Sequence, residues 1–145
     1  MIDEGLVAKK LAFIETCVND LRTLARPEEM AHDVKEERFV EHTLQIAIQA
    51  ALDVASHVVS DERLGEPRTN RELFDLLVRS GRVTPALGET LGDMAGFRNV
   101  LVHGYGDVDL GVIEDVLARR LTDLLAFVEA MRARGIPGAR RPSPS

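Results

Sequence analysis

The chain has one cysteine, one tyrosine and no tryptophan, and aromatic residues make up 4% of its 145 positions. Each shortage excludes something. A lone Cys17 can form neither an intrachain disulfide nor a multi-cysteine zinc site, and its neighbours Ile14, Val18 and Leu21 mark it as core packing. No apolar run approaches the roughly 18 residues of a membrane span. Asp3, Glu4, Lys9 and Lys10 stand where a signal peptide would be apolar, so a cytoplasmic protein without membrane association is expected. An excess of positive charge is also missing. The net charge is −6, which excludes a protein that grips nucleic acid through a broad basic surface. Arg132, Arg134, Arg140 and Arg141 all follow the last acid, Glu129, and the body before them carries fourteen basic against 24 acidic residues. An acidic body with a basic tail suits a basic protein partner, with RNA contacts confined to a small site or to the tail.

What is present is apolar residues, 45% of the chain, in helical periodicity. Val7, Leu11, Ile14, Val18, Leu21 and Ala25 alternate spacings of four and three, an amphipathic helix that Pro27 ends. A second helix runs from about Val34 to Val59 with a broad apolar face, and reads as the central, most buried one. Thr69 and Glu72 form a capping box for a short helix through Val78. Thr84 before Pro85 starts a fourth helix to about His103. Asp109 caps a fifth, expected to run unbroken to Met131. Residues 1–134 thus read as one all-α domain, an up-and-down bundle of about five helices, and the Pro- and Ser-containing basic segment 135–145 as a disordered tail.

Gly88, Gly92 and Gly96 recur every four residues in the fourth helix, at a cost of about 1 kcal/mol each relative to alanine. A face without side chains lets another backbone approach closely. Two readings are open: packing against the second helix, or a homodimer seam.

Chemistry concentrates at the end of the same helix, in Arg98-Asn99-Val100-Leu101-Val102-His103-Gly104-Tyr105. A guanidinium can hold a phosphate through a fork of donors, and an imidazole, with an unperturbed pKa near ~6.5, exchanges protons at cell pH. The pair suits phosphodiester cleavage. On a regular helix Arg98 and His103 lie about 140° apart, so either the helix breaks before Gly104 or a working site is assembled across two copies of the chain. Asn99 and His103 share a face, and the amide is placed to orient the imidazole. The other histidines are weaker candidates: His57 reads as a local hydrogen-bond partner of Asp53, and His32 and His42 as solvated. Asp107 and Asp109 near His103 read as turn and cap residues rather than metal ligands, and neither metal nor cofactor is expected.

These residues carry a family resemblance. The stretch Arg98 to Tyr105 resembles the Arg-x-x-x-x-His-x-Tyr signature of HEPN ribonucleases, in particular the HepT-like toxins of HepT–MntA toxin–antitoxin pairs. The runs Gln45-Ile46-Ala47-Ile48, Leu52 to His57, Arg71-Glu72-Leu73-Phe74, Met94 to Asn99 and Val108-Asp109 look like that branch too, so the likeness spans roughly residues 3 to 130. It implies a homodimeric HEPN bundle in which Gly88, Gly92 and Gly96 or their neighbours contribute to the seam. It also implies a metal-independent endoribonuclease that uses the ribose 2′-hydroxyl, with Arg98, Asn99 and His103 catalytic. The implied partners are RNA and a cognate minimal nucleotidyltransferase antitoxin that silences the enzyme by transferring AMP to Tyr105. The alternative within the same fold is a non-catalytic HEPN subunit that binds substrate or nucleotide for a nucleotidyltransferase.

Overall fold

The computed structural model describes residues 3–104 and 108–134. Among these, six α-helices and one short 3₁₀ turn account for the architecture, with no strand: α1 (Glu4–Leu24), the turn Pro27–Glu29, α2 (Val34–Asp61), α3 (Asn70–Arg79), α4 (Pro85–His103), α5 (Leu110–Arg119) and α6 (Leu121–Ala133). No helix is long and apolar enough to cross a membrane among the described residues. Tyr105, Gly106, Asp107 and the proposed tail, 135–145, lie outside the described residues.

The helix starts follow local chemistry. Asp3, Asp33, Thr69, Thr84 and Asp109 each cap a helix by accepting a backbone N–H from its first turn. In the Thr69–Glu72 pair, Thr69 Oγ1 accepts from the Glu72 N–H at 3.2 Å, and the Glu72 carboxylate reaches back to the Arg68 N–H. Gly81, with φ +77°, closes α3 in the left-handed conformation that favours glycine.

Helix α2 is the axis of the bundle, with Val40, Leu44, Ala47, Val54, Ala55 and Val58 fully enclosed. Helix α1 lies antiparallel to it: the Lys10–Asp53 ion pair, at 3.2 Å, joins their middles, and the Arg26 N–H donates to Glu36 at 2.9 Å where the pair turns. Asp53 also accepts from Gln49 Nε2 at 2.9 Å, while His57 is exposed and is not the partner of Asp53 that its spacing suggests. Helix α6 runs antiparallel to α1, tied by Arg22 to Thr122 and by the two-pronged Arg132–Glu15 pair at 2.6 and 2.8 Å. Across the core, the Phe74 ring of α3 meets Phe127 of α6 edge to face, centroids 6.0 Å apart. Cys17 is buried, and burial with nearby Asp20 pushes its thiol up to about 11, an inert core residue.

Two expectations are corrected. The last helix is not continuous: α5 ends and α6 begins at Arg120, whose N–H still bonds Val116 O at 2.8 Å while its own carbonyl starts the next helix. No proline or glycine marks the break, and Arg120 Nη1 reaches Asp123 Oδ2 at 3.4 Å across it. Both segments bury apolar faces, Ile113 and Val116 before the break, Leu124, Phe127 and Met131 after it. Nor are all four C-terminal arginines a tail. Arg132 is bound to Glu15, and the largely buried Arg134 lies between Glu4 at 2.8 Å and Glu62 at 3.8 Å, with Arg82 also on Glu62 at 2.7 Å. These arginines close one end of the bundle.

The glycine series splits by position. A Cβ at residue 88 would sit 2.2 Å from Val78 Cγ2, and one at 92 would sit 2.7 Å from an Arg71 guanidinium nitrogen, so both glycines admit α3 rather than α2. A Cβ at residue 96 would meet nothing within 4 Å. Valine is stiff at χ1 and cannot swing clear. Gly88→Ala should therefore lose about 1–3 kcal/mol by overpacking despite a better helix propensity. Gly96→Ala should gain up to about 1 kcal/mol, because only propensity changes. Urea midpoints of the two variants should move in opposite directions; a shared direction would refute the assignment.

Candidate active site at the end of helix α4

Helix α4 continues without a break through His103, and the Gly104 N–H still bonds Val100 O at 2.7 Å. The possibility that the helix breaks before Gly104 is thereby removed. A Cβ at 104 would fall 2.6 Å from that same carbonyl oxygen, so the close turn demands glycine, and Val108 packs over it. Arg98 and His103 consequently lie on different sides of one regular helix, about 140° apart.

Side-chain contacts narrow that gap from one direction. Arg98 Nη1 donates to Asn99 Oδ1 at 3.2 Å, which draws the guanidinium toward the face that Asn99 shares with His103. Asn99 thus holds Arg98, and no hydrogen bond joins it to His103 among the described residues; the expected orientation of the imidazole by Asn99 is replaced by orientation of the arginine. Asn99 and His103 are both exposed. Arg98 is partly buried, and its Nε is enclosed without an acceptor. A buried N–H without a partner costs roughly 1–3 kcal/mol. Arg71, Arg82, Arg132 and Arg134 each rest on a carboxylate, whereas Arg98 has none among the described residues. In a chain with 24 acids, a guanidinium kept from carboxylates and anchored only to a neutral amide is one whose charge is left for an anion. Asp109, weighed above as a turn residue, caps α5 by accepting from the Gly111 N–H at 2.8 Å; no three metal-ligating side chains cluster among the described residues.

Glu41 on α2 is the second place where a buried polar atom, Oε1, has no partner. Nothing in the run Glu36-Glu37-Arg38 to Glu41 sets it apart by sequence; only the packing that encloses its Oε1 does. Burial, then the charge of Glu37, raise its carboxyl above the usual range, with Arg38 opposing. A raised acid pKa means the folded state holds the proton more tightly than the unfolded one. The stabilisation is complete below the unfolded value and lost as pH rises through the folded value. Glu41→Gln should remove this slope, so its stability relative to wild type should increase from pH 4 to pH 8; urea titrations at several pH values giving a constant difference would contradict it.

An all-α bundle whose fourth helix ends in arginine, asparagine and histidine, with a tyrosine two residues on, has the make-up of a HEPN ribonuclease. Comparison with known proteins agrees. The profile described as Ribonuclease HepT-like matches residues 14–131, and the chain belongs to this HepT-like ribonuclease family. It is 27% identical over 129 residues to the mRNA nuclease HepT of Shewanella oneidensis, covering 88% of this chain and 97% of that protein. It is 36% identical over 75 residues to the tRNA nuclease HepT of Aphanizomenon flos-aquae, covering 52% of this chain and 51% of that protein. Its fold superposes with a TM-score of 0.83 and 27% identity on the tri-AMPylated Shewanella oneidensis HEPN toxin in complex with MNT antitoxin, covering 92% of this chain and 100% of that one.

Proposed function

We propose that this ribonuclease is the toxin of a HEPN/minimal-nucleotidyltransferase toxin–antitoxin pair and cuts RNA without a metal. The observation that carries the reading is the end of α4, where Asn99 turns a carboxylate-free Arg98 toward the face of His103. Arg98 would hold the non-bridging oxygens of the scissile phosphate as charge builds there. His103 would take the proton of the ribose 2′-hydroxyl as its oxygen attacks the adjacent phosphorus, or give a proton to the departing 5′-oxygen. The products are a 2′,3′-cyclic phosphate and a free 5′-hydroxyl. DNA, lacking the nucleophile, is not a substrate.

The unbroken helix supports a homodimer as the working form. Acid and base must stand on opposite sides of one phosphate, and one chain supplies a single His103 at this position. A second copy supplies the other. Val100, 50% exposed between Arg98 and His103, gives that end an apolar surface for such a contact.

The antitoxin would silence the enzyme at Tyr105, which lies outside the described residues. Its phenol oxygen would attack the α-phosphorus of ATP, expelling pyrophosphate and leaving AMP esterified beside Arg98, where the adduct's phosphate competes with RNA. The AMPylated Shewanella toxin supports this reading.

Wild-type protein should cleave single-stranded RNA to 2′,3′-cyclic ends and leave its 2′-deoxy counterpart intact. Arg98→Ala and His103→Ala should each lose about 10²–10⁴-fold in rate. Cleavage unaffected by either change would refute the mechanism. A folded wild type that binds RNA but does not cut it would favour the non-catalytic HEPN subunit. With its nucleotidyltransferase and ATP, the intact mass should rise by whole AMP units, confined to the peptide holding the chain's sole tyrosine; adducts elsewhere would exclude Tyr105 as the switch.

A further inference from the structure

A cavity of about 420 Å³ opens beside Asn99, between α4 and the start of α3, with Arg68, Asn70, Arg71, Gly92, Gly96 and Asn99 among its walls. We infer that this groove seats an RNA phosphodiester flanking the scissile one and that Arg68 is its positioning residue, an inference that rests on the ribonuclease reading above. Three observations converge on it.

The first is charge. Among the described residues no carboxylate lines the groove, although the chain carries a net charge of −6. Two other surface cavities differ in this respect: one places Glu66 beside Arg63, and the other holds Glu4, Asp61 and Glu62. Arg71 is neutralised locally by Asp93. The Arg68 guanidinium has neither ion pair nor hydrogen bond among the described residues, since only its backbone N–H serves the Glu72 cap. It is an unpaired cation on a wall whose other cation, Arg71, is already paired.

The second is room. Gly96 faces open space where any larger residue would stand in the groove. The third is direction: Gly92, Gly96, Asn99 and His103 follow one another at spacings of four, three and four, a single stripe of α4. From Gly92 to Asn99 this stripe runs about 10 Å along the helix axis, so a strand whose scissile phosphate sits at Arg98 and His103 is led past Gly96 toward Arg68. Contacts to flanking phosphates position a strand without reading its sequence, which fits a site made of arginine and amide side chains.

Arg68→Ala should raise KM on an eight-residue RNA about tenfold, the loss of one charge-assisted contact, with kcat held. The same variant should cleave a dinucleoside monophosphate, which has no flanking phosphate, like wild type. In a His103→Ala background, where RNA binds uncut, Arg68→Ala should reduce the slope of log affinity against log salt by about 0.7, and Arg68→Lys should restore it. Gly96→Leu should raise KM on the octamer by filling the groove while leaving Arg68 in place. Unchanged KM and salt slope in an RNA-cleaving, folded protein would overturn the groove alone. Failure of wild type to bind or cut RNA would overturn the ribonuclease reading and the groove with it. A shift in oligomeric state on Arg68→Ala with unaltered RNA affinity would assign the groove to a protein contact and overturn the inference.

Discussion

The missing Cβ atoms at Gly88 and Gly92 set how α4 is rotated in the bundle, and everything the chain does chemically depends on that rotation. Because Val78 and Arg71 of α3 fill the space where side chains would be, α4 can present only this stripe to α3. Leu91, Met94, Ala95 and Leu101 are then turned inward, Arg98 is partly buried on the same face, and Asn99 and His103 are left exposed. A helix turned by one residue would bury Asn99 or His103. Two glycines in a helix interior cost about 2 kcal/mol in propensity. The close α3–α4 contact and the apolar burial behind it offset that, so an unfavourable local choice makes sense only at the level of the tertiary structure.

Much of this was legible in the sequence because it rests on local rules. The cores of α1 and α2, the Thr69, Thr84 and Asp109 caps, and the end of α4 at His103 follow from side-chain spacing and from the few residues that can satisfy a helix terminus. What was not legible depends on partners distant in sequence. The break at Arg120 has no local breaker and exists because α5 and α6 bury their faces against different neighbours. Arg132 and Arg134 look like the start of a basic tail until Glu15, Glu4 and Glu62 are brought to them. The face that Asn99 shares with His103 was readable, but its actual partner, Arg98, is the adjacent residue, whose long side chain bends back to it. Glu41 illustrates the same point from the opposite side, since no spacing rule marks it and its altered carboxyl arises from enclosure.

Electrostatics reconciles an acidic chain with an RNA substrate. Repulsion between a net charge of −6 and a phosphate backbone weakens nonspecific capture but acts at long range, where salt screens it within about 8–10 Å. Contacts inside that distance are governed by which cations are unpaired. The bundle spends Arg82, Arg132 and Arg134 on its own acids, and by doing so separates structural arginines from those without a carboxylate among the described residues. Arg98 and Arg68 belong to the second group. On the proposed reading such an enzyme would discriminate against loose RNA binding and act where a strand enters the small region that lacks carboxylates among the described residues.

The same economy of charge would make the tyrosine that follows α4 in sequence an effective place for the proposed off switch. Inhibition by steric bulk alone would require filling the substrate path, whereas the phosphate of the proposed adduct would supply an anion that this guanidinium lacks among the described residues. Its Nε is already enclosed without an acceptor and its Nη1 is held only by a neutral amide, so an intramolecular phosphate would gain a charge-assisted contact that no described residue offers. A tethered anion also competes at an effective concentration set by the tether, which for short links reaches the millimolar range and exceeds that of free RNA sites. On the proposed reading, the feature that would fit Arg98 for catalysis, a charge without a carboxylate partner among the described residues, is also the one through which an adduct would silence it.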